Sequence, residues 1–134
     1  MSKLTRWCGV LVLVAFAGGC GGKSEREQLK EQEIATMNEA VDVLETIKDE
    51  ESAKAAAPKL MEIAGRVKDL KKQQNALGKP SKDEQEKLNK KFDNDRKAAH
   101  DRLVHEMVRI QRIPGAPDAL KDVIEEFIKL DQGQ

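Results

Sequence analysis

The sequence predicts an all-α protein: an antiparallel up-down-up helical hairpin bundle with a short fourth helix. Three observations predict it. Apolar residues recur at spacings of three and four in four separate segments, and none alternates apolar and polar residues as a half-buried strand would. The composition is rich in Ala, Glu, Lys and Leu, with 36% charged and only 3% aromatic residues, which is the profile of long helices. The breaks between segments are short, and short connections force sequential helices antiparallel.

Gly21-Gly22-Lys23 is a flexible tether, and Ser24 followed by Glu27 forms a capping box at a helix start. The first helix runs from about Glu25 to Lys48. Ile34, Met37, Val41 and Leu44 make one stripe, widened by Val43 and Ile47. Asp49 to Ser52 is a polar break in which Asp49 or Ser52 caps the second helix. That helix carries Leu60, Ile63, Val67 and Leu70, with Leu77 in phase, while Gln74 predicts a wetter stretch of seam. Pro58 lies beyond a first turn starting near Ser52, so it is expected to kink the helix or delay its start. Gly78 and Pro80 end the helix.

Ser81 and Glu84 form a second capping box. The third helix, about Lys82 to Arg112, is roughly 46 Å long. Its stripe is Leu88, Phe92, Ala99, Leu103, Met107 and Ile110, with Val104 and Val108 alongside and Asp95-Arg96 interrupting. Pro114-Gly115-Ala116-Pro117 is a turn. The fourth helix spans about Pro117 to Leu130, with Leu120, Val123, Ile124 and Phe127 on one side, and Asp131 to Gln134 fray. Each stripe is too narrow to stand alone in water, so the helices are stable only against one another.

The first twenty residues have a different logic. Lys3 and Arg6 precede an apolar run of eleven, Trp7 to Ala17, and then come Gly18, Gly19 and Cys20. That order is an export signal with a small-residue processing site. Ala17-Gly18-Gly19-Cys20 resembles the lipobox of bacterial lipoproteins, with alanine where the family prefers leucine. The resemblance implies that the Cys20 thiol is joined to a diacylglycerol, that cleavage leaves Cys20 as the first residue, and that its amine is acylated. The chain then divides into a cleaved signal peptide (1–19), a lipidated cysteine with a Gly-rich tether (20–23) and a single helical domain (24–134). The implied location is the cell envelope, facing the periplasm. Gly21, in place of the aspartate associated with inner-membrane retention, leans towards the outer membrane. Two other readings use the same residues. Cleavage after Ala15-Phe16-Ala17 would release a soluble protein with a free Cys20. An uncleaved anchor would have to cross a core of about 30 Å with a run that rises only about 16 Å. Cys8 reads as one more apolar residue of the signal.

Without residues 1–19, 115 residues remain, with 22 cations and 24 anions. So balanced a chain argues against general nucleic-acid binding. It retains one cysteine, which excludes an internal disulfide. Only Phe92 and Phe127 remain as aromatics, too few for a pocket that grips a sugar or a ring.

No credible catalytic set is found, so the chain is not expected to be an enzyme. His100 and His105 stand about 140° apart on a helix and do not converge on one metal, though Asp101 and His105 are spaced for a surface pair. Asp93-Asn94-Asp95 starts like a calcium loop, but Ala98 and Val104 occupy the positions that need glycine and a bidentate glutamate. The Met37 to Lys72 segment looks loosely like the first hairpin of the b-type four-helix cytochromes. Met37 matches their methionine ligand, but the last helix lacks their histidine. Nor does the chain end in the lysine of the murein-linked helical lipoprotein; it ends Asp131-Gln132-Gly133-Gln134. Two readings of function therefore stand. One is a non-enzymatic, lipid-anchored helical module without a further cofactor, acting as a spacer or binding an envelope protein or a second copy of itself. The other is a periplasmic bundle carrying a small ligand, metal or haem.

Charge is uneven along the chain. Ser24 to Gly65 holds 5 cations and 11 anions, and Arg66 to Arg102 holds 12 cations and 7 anions. Lys71, Lys72, Lys79 and Lys82 fall in a stretch with no acid. In an up-down-up bundle this turn lies at the end carrying Cys20, so the four lysines are candidates for a secondary membrane-surface contact, each worth about 1 kcal/mol near anionic lipid. The alternative is a solvated turn, with the acids of the first helix balancing the lysines of the second and third.

Overall fold

A computed structural model describes residues 22–132, so the export segment and Cys20 lie outside the described residues. Five helices follow in order: α1 (Glu25–Glu45), α2 (Glu50–Ala76), α3 (Lys82–Ile110), α4 (Ala116–Ala119) and α5 (Lys121–Asp131). The described residues contain no strand.

The helix starts follow from their caps. The Glu27 N–H donates to Ser24 Oγ at 3.2 Å, and the Glu84 N–H donates to Ser81 Oγ at 3.3 Å. The glutamate carboxylates reach across to other helices instead of back to the cap. Glu27 pairs with Lys91 at 2.9 Å and Glu84 with Arg26 at 3.3 Å. The full reciprocal box forms at α2. There the Ser52 N–H donates to Asp49 Oδ1 at 2.8 Å and the Asp49 N–H to Ser52 Oγ at 3.0 Å.

Several features differ from the sequence expectation, and α3 too ends earlier than expected, at Ile110 instead of Arg112. Pro58 does not delay α2, which runs through it from Glu50. Proline cannot donate to the Lys54 carbonyl; Pro58 and Lys54 both lie on the exposed face of α2. The helix α1 stops at Glu45 because Thr46 and Ile47 tighten the chain, their N–H groups donating to Val43 and Leu44 carbonyls at 3.2 and 3.0 Å. The expected fourth helix is two, α4 and α5, separated at Leu120, whose φ of −104° and ψ of 7° leave the helical range.

The helix α1 packs against both α2 and α3, while α4 and α5 lie on α2. Cross-helix pairs fix the registers. Between α1 and α2 they run in opposite chain order: Arg26 with Leu77, Glu33 with Gln74, Glu39 with Arg66. Between α1 and α3 they run in the same order: Glu27 with Lys91, Asp42 with Arg102, Ile47 with Arg109. One core cluster gathers Leu44, Ile47, Leu60, Ile63, Ile110, Leu120 and Val123, where α1 finishes and α2 begins. Leu29, Leu70, Leu88 and Phe92 are buried towards the other end. Val104 and Val108, expected beside the α3 stripe, stand 48% and 45% exposed. Each is one residue, about 100°, past a true seam position.

Cations from neighbouring helices close three helix ends. Neither α1 nor α2 has a basic residue in its last turn, so their final carbonyls and the negative dipole end need an outside partner. Arg109 of α3 donates to the Leu44 and Ile47 carbonyls at 2.8 and 2.7 Å. Arg26 of α1 donates to the Leu77 and Gly78 carbonyls at 2.6 and 3.0 Å. Lys71 of α2 donates to the Leu130 carbonyl of α5. Arg109 is steadied by Glu106, Nε to Oε2 at 2.7 Å. Burial alone would push the Glu106 carboxyl up. The hydrogen bonds from Arg109 and His105, with their charges, hold it below the ordinary value instead.

Candidate membrane-facing end

The start of α1 and the turn joining α2 to α3 lie side by side because Arg26 bonds the last carbonyls of α2 and also contacts Glu84. Gly78 takes a φ of +72°, the left-handed geometry that lets α2 stop. Pro80 and the Ser81 cap then launch α3. The chain leaves this end through Lys23 and Gly22 towards Cys20.

The four candidate lysines take different roles. Lys71 is half-buried and points to Leu130, and its charge also bears on Glu33. Lys72 is exposed and lies 3.6 Å from Asp69 on its own helix. Lys79 and Lys82 are exposed, flank Pro80, and make no ion pair among the described residues. With Gln85 and Glu86 they line a shallow depression. Acids also sit at this end: Glu25 in the first turn of α1, Asp83 and Glu84 in that of α3, and Glu86 in the depression itself. The positive helix dipoles partly offset the first-turn acids.

The acids of α1 are matched elsewhere. Glu39 meets Arg66 at 2.7 Å and Lys59 at 3.4 Å, and the Arg66 hydrogen bond holds its carboxyl below the ordinary range. Arg102 spans Asp42 and Glu45 at 3.3 and 2.9 Å. Glu33 accepts from Lys30 at 2.8 Å and Gln74 at 2.9 Å. Its burial pushes the carboxyl up, and these partners outweigh that and bring it down. At Gln74, where a wetter seam was expected, the side-chain amide bonds Glu33 directly. Of the basic α2–α3 segment, Arg66, Lys91 and Arg102 therefore answer the acids of α1, together with Lys59 from earlier in α2. The four candidate lysines do not pair with them.

No protein-family model, curated protein or solved structure matches this chain.

The remaining candidates disperse over the surface. His100 lies 3.9 Å from Asp101, and His105 lies 3.2 Å from Glu106, in place of the expected Asp101–His105 pair. Both histidines are exposed on α3, while Met37 is half-buried on α1. Asp93 is paired with Arg96 at 2.9 Å on the helix surface. Among the described residues no three His, Cys, Asp or Glu side chains gather as a metal site, and no helix is long and apolar enough to cross a membrane. The Arg109, Arg26 and Lys71 helix-end contacts escaped the sequence reading. For the Arg109 and Arg26 contacts the available signal was the missing last-turn cation in α1 and α2; α5 has Lys129 in its last turn, so the Lys71 contact carried no such signal.

Proposed function

We propose that the chain is a non-enzymatic lipoprotein of the cell envelope, held by acyl chains on Cys20 and facing the periplasm from the outer membrane. Its helical body, an up-down-up bundle with a short fourth element, serves as a spacer or as an interaction module for another envelope protein or a second copy. The observation that carries this reading is the order of residues 3–20: two cations, an apolar run of eleven, two glycines and a cysteine. One acyl chain gives only marginal, reversible binding, whereas a diacylglycerol with an N-acyl group supplies three chains and stable attachment. The body then needs no membrane helix of its own. Its long charged helices offer grooves suited to a partner helix.

The test is to express the full chain in a bacterium fed an alkyne-bearing palmitate. Wild type takes the label and gives an intact mass for residues 20–134 plus the acyl groups, while Cys20→Ser takes none. An unmodified chain beginning at Gly18 would refute the anchor. Affinity capture from native membranes then identifies the partner, and visible absorption in the purified protein would redirect the reading to a ligand carrier.

A further inference from the structure

We infer that the α2–α3 turn is a headgroup-contacting foot: Lys79 and Lys82, on either side of Pro80, seat the body on the lipid phosphates of the membrane that holds Cys20. The inference rests on the anchoring proposed above and adds to it a surface, a ligand chemistry and an orientation.

Reach is the first argument. Only Gly21 to Ser24 separate Cys20 from the first helical residue. Four residues span at most about 14 Å even when fully extended, whereas α1 alone is about 31 Å long. The end of the body that meets the headgroups is therefore the end where α1 starts, unless the body lies flat. Arg26 fastens the α2–α3 turn to that end through Leu77 and Gly78.

Charge is the second argument. The cations facing the acids of α1 are Lys59, Arg66, Lys91 and Arg102. Lys71 is engaged with the end of α5, and Lys72 sits beside Asp69. Lys79 and Lys82 remain exposed beside the tether and make no ion pair among the described residues, although the Glu86 carboxylate lines the same depression. Two helix N-termini, of α1 and α3, face the same way; the C-terminus of α2 there carries Arg26, and α5, which runs alongside α2 in the same direction, has its last turn met by Lys71. Glu25 and Asp83 sit against those positive dipole ends. Stiffness is the third argument. Pro80 fixes its φ, Ser81 caps α3, and Arg26 grips the turn, so the two ammonium groups are presented by an ordered backbone. Two lysines near an anionic surface, each worth about a factor of five, bias the body at most about thirtyfold towards the seated orientation at low salt, and the neighbouring Glu25, Asp83 and Glu86 lower that figure.

The test separates this contact from cellular acylation by attaching the anchor chemically. All the buried apolar residues among those described lie between Leu29 and Leu130, so a chain starting at Cys20 retains the packing. Cys20 of residues 20–134 is coupled to a maleimide lipid in vesicles of phosphatidylcholine, or of phosphatidylcholine mixed with phosphatidylglycerol. Lysines are then acetylated with a water-soluble reagent and read by mass spectrometry. On the anionic vesicles at low salt, Lys79 and Lys82 react several-fold more slowly than on the neutral ones, while Lys54 does not change. High salt, or the double substitution K79E/K82E read by the distance of a probe on α5 from the bilayer, removes the effect. Equal rates on both vesicles, or equal slowing at Lys54, would overturn the inference. Because the anchor is supplied chemically, failure here leaves the acylation of Cys20 standing. Failure of palmitate labelling removes the biological anchor without altering this result.

Discussion

Arg109→Met removes the guanidinium that closes α1 and keeps the apolar stem. Three charge-assisted bonds are lost, to Leu44, Ile47 and Glu106, at 2.8, 2.7 and 2.7 Å. Bonds to charged groups contribute about 1.5–3 kcal/mol each, so simple addition gives about 4.5–9 kcal/mol. Addition overstates the loss, because water reaches the two carbonyls once the side chain is gone and the Arg109 side chain is already 35% exposed. Glu106 is different. It is 7% exposed and would be left with only His105 beside its carboxylate. Breaking a buried pair from one side costs about 3–5 kcal/mol; partial exposure sets the expectation at the low end, about 3 kcal/mol. With a urea slope near 1.5 kcal/mol/M, the midpoint followed by circular dichroism falls by about 2 M. Arg109→Lys keeps the charge but cannot serve three acceptors with one ammonium, and should recover about half of the loss. A loss under about 1 kcal/mol for Arg109→Met, or wild-type stability for Arg109→Lys, would refute the idea that this side chain closes α1.

Glu106→Gln should flatten the acid limb of the stability curve. The folded carboxyl lies below its ordinary value of 4.5, so its contribution is complete at neutral pH and fades as pH falls through the folded value. Pro58→Ala should stabilise by about 1–3 kcal/mol in urea melts, because an exposed helix interior regains the hydrogen bond to the Lys54 carbonyl. Gly115→Ala and Gly78→Ala should each cost about 1–3 kcal/mol, because both glycines have φ above +70°. A Cβ at Gly115 would also displace the Glu50 carboxylate, but that side chain is exposed and free to swing away. Parallel thermal melts of the two variants check that both lose stability.

The helix starts were legible because their signals are local. Ser24, Ser81 and Asp49 cap helices within three residues of themselves, and Gly78-Lys79-Pro80 ends α2 by conformational preference alone. The outcome at Pro58 was not legible, since it depends on which face of α2 turns to solvent. Nor was the exposure of Val104 and Val108, which depends on where the neighbours of α3 lie. At the candidate site, periodicity and charge counts located a basic turn beside the helix start. They could not divide its four lysines, because Lys71 is claimed by a carbonyl 59 positions away. The Arg26 and Arg109 contacts bridge 51 to 65 positions and leave no trace in a local window.

The helix-end contacts form a series: α3 secures α1, α1 secures α2, and α2 secures α5. An isolated helix unwinds from its tip residue by residue. Here, loosening any of these three tips means extracting a side chain that belongs to another segment. Amide protons in the last turns of α1 and α2 should therefore exchange only when neighbouring helices separate, so that the helical body resists gradual melting and fails as one unit.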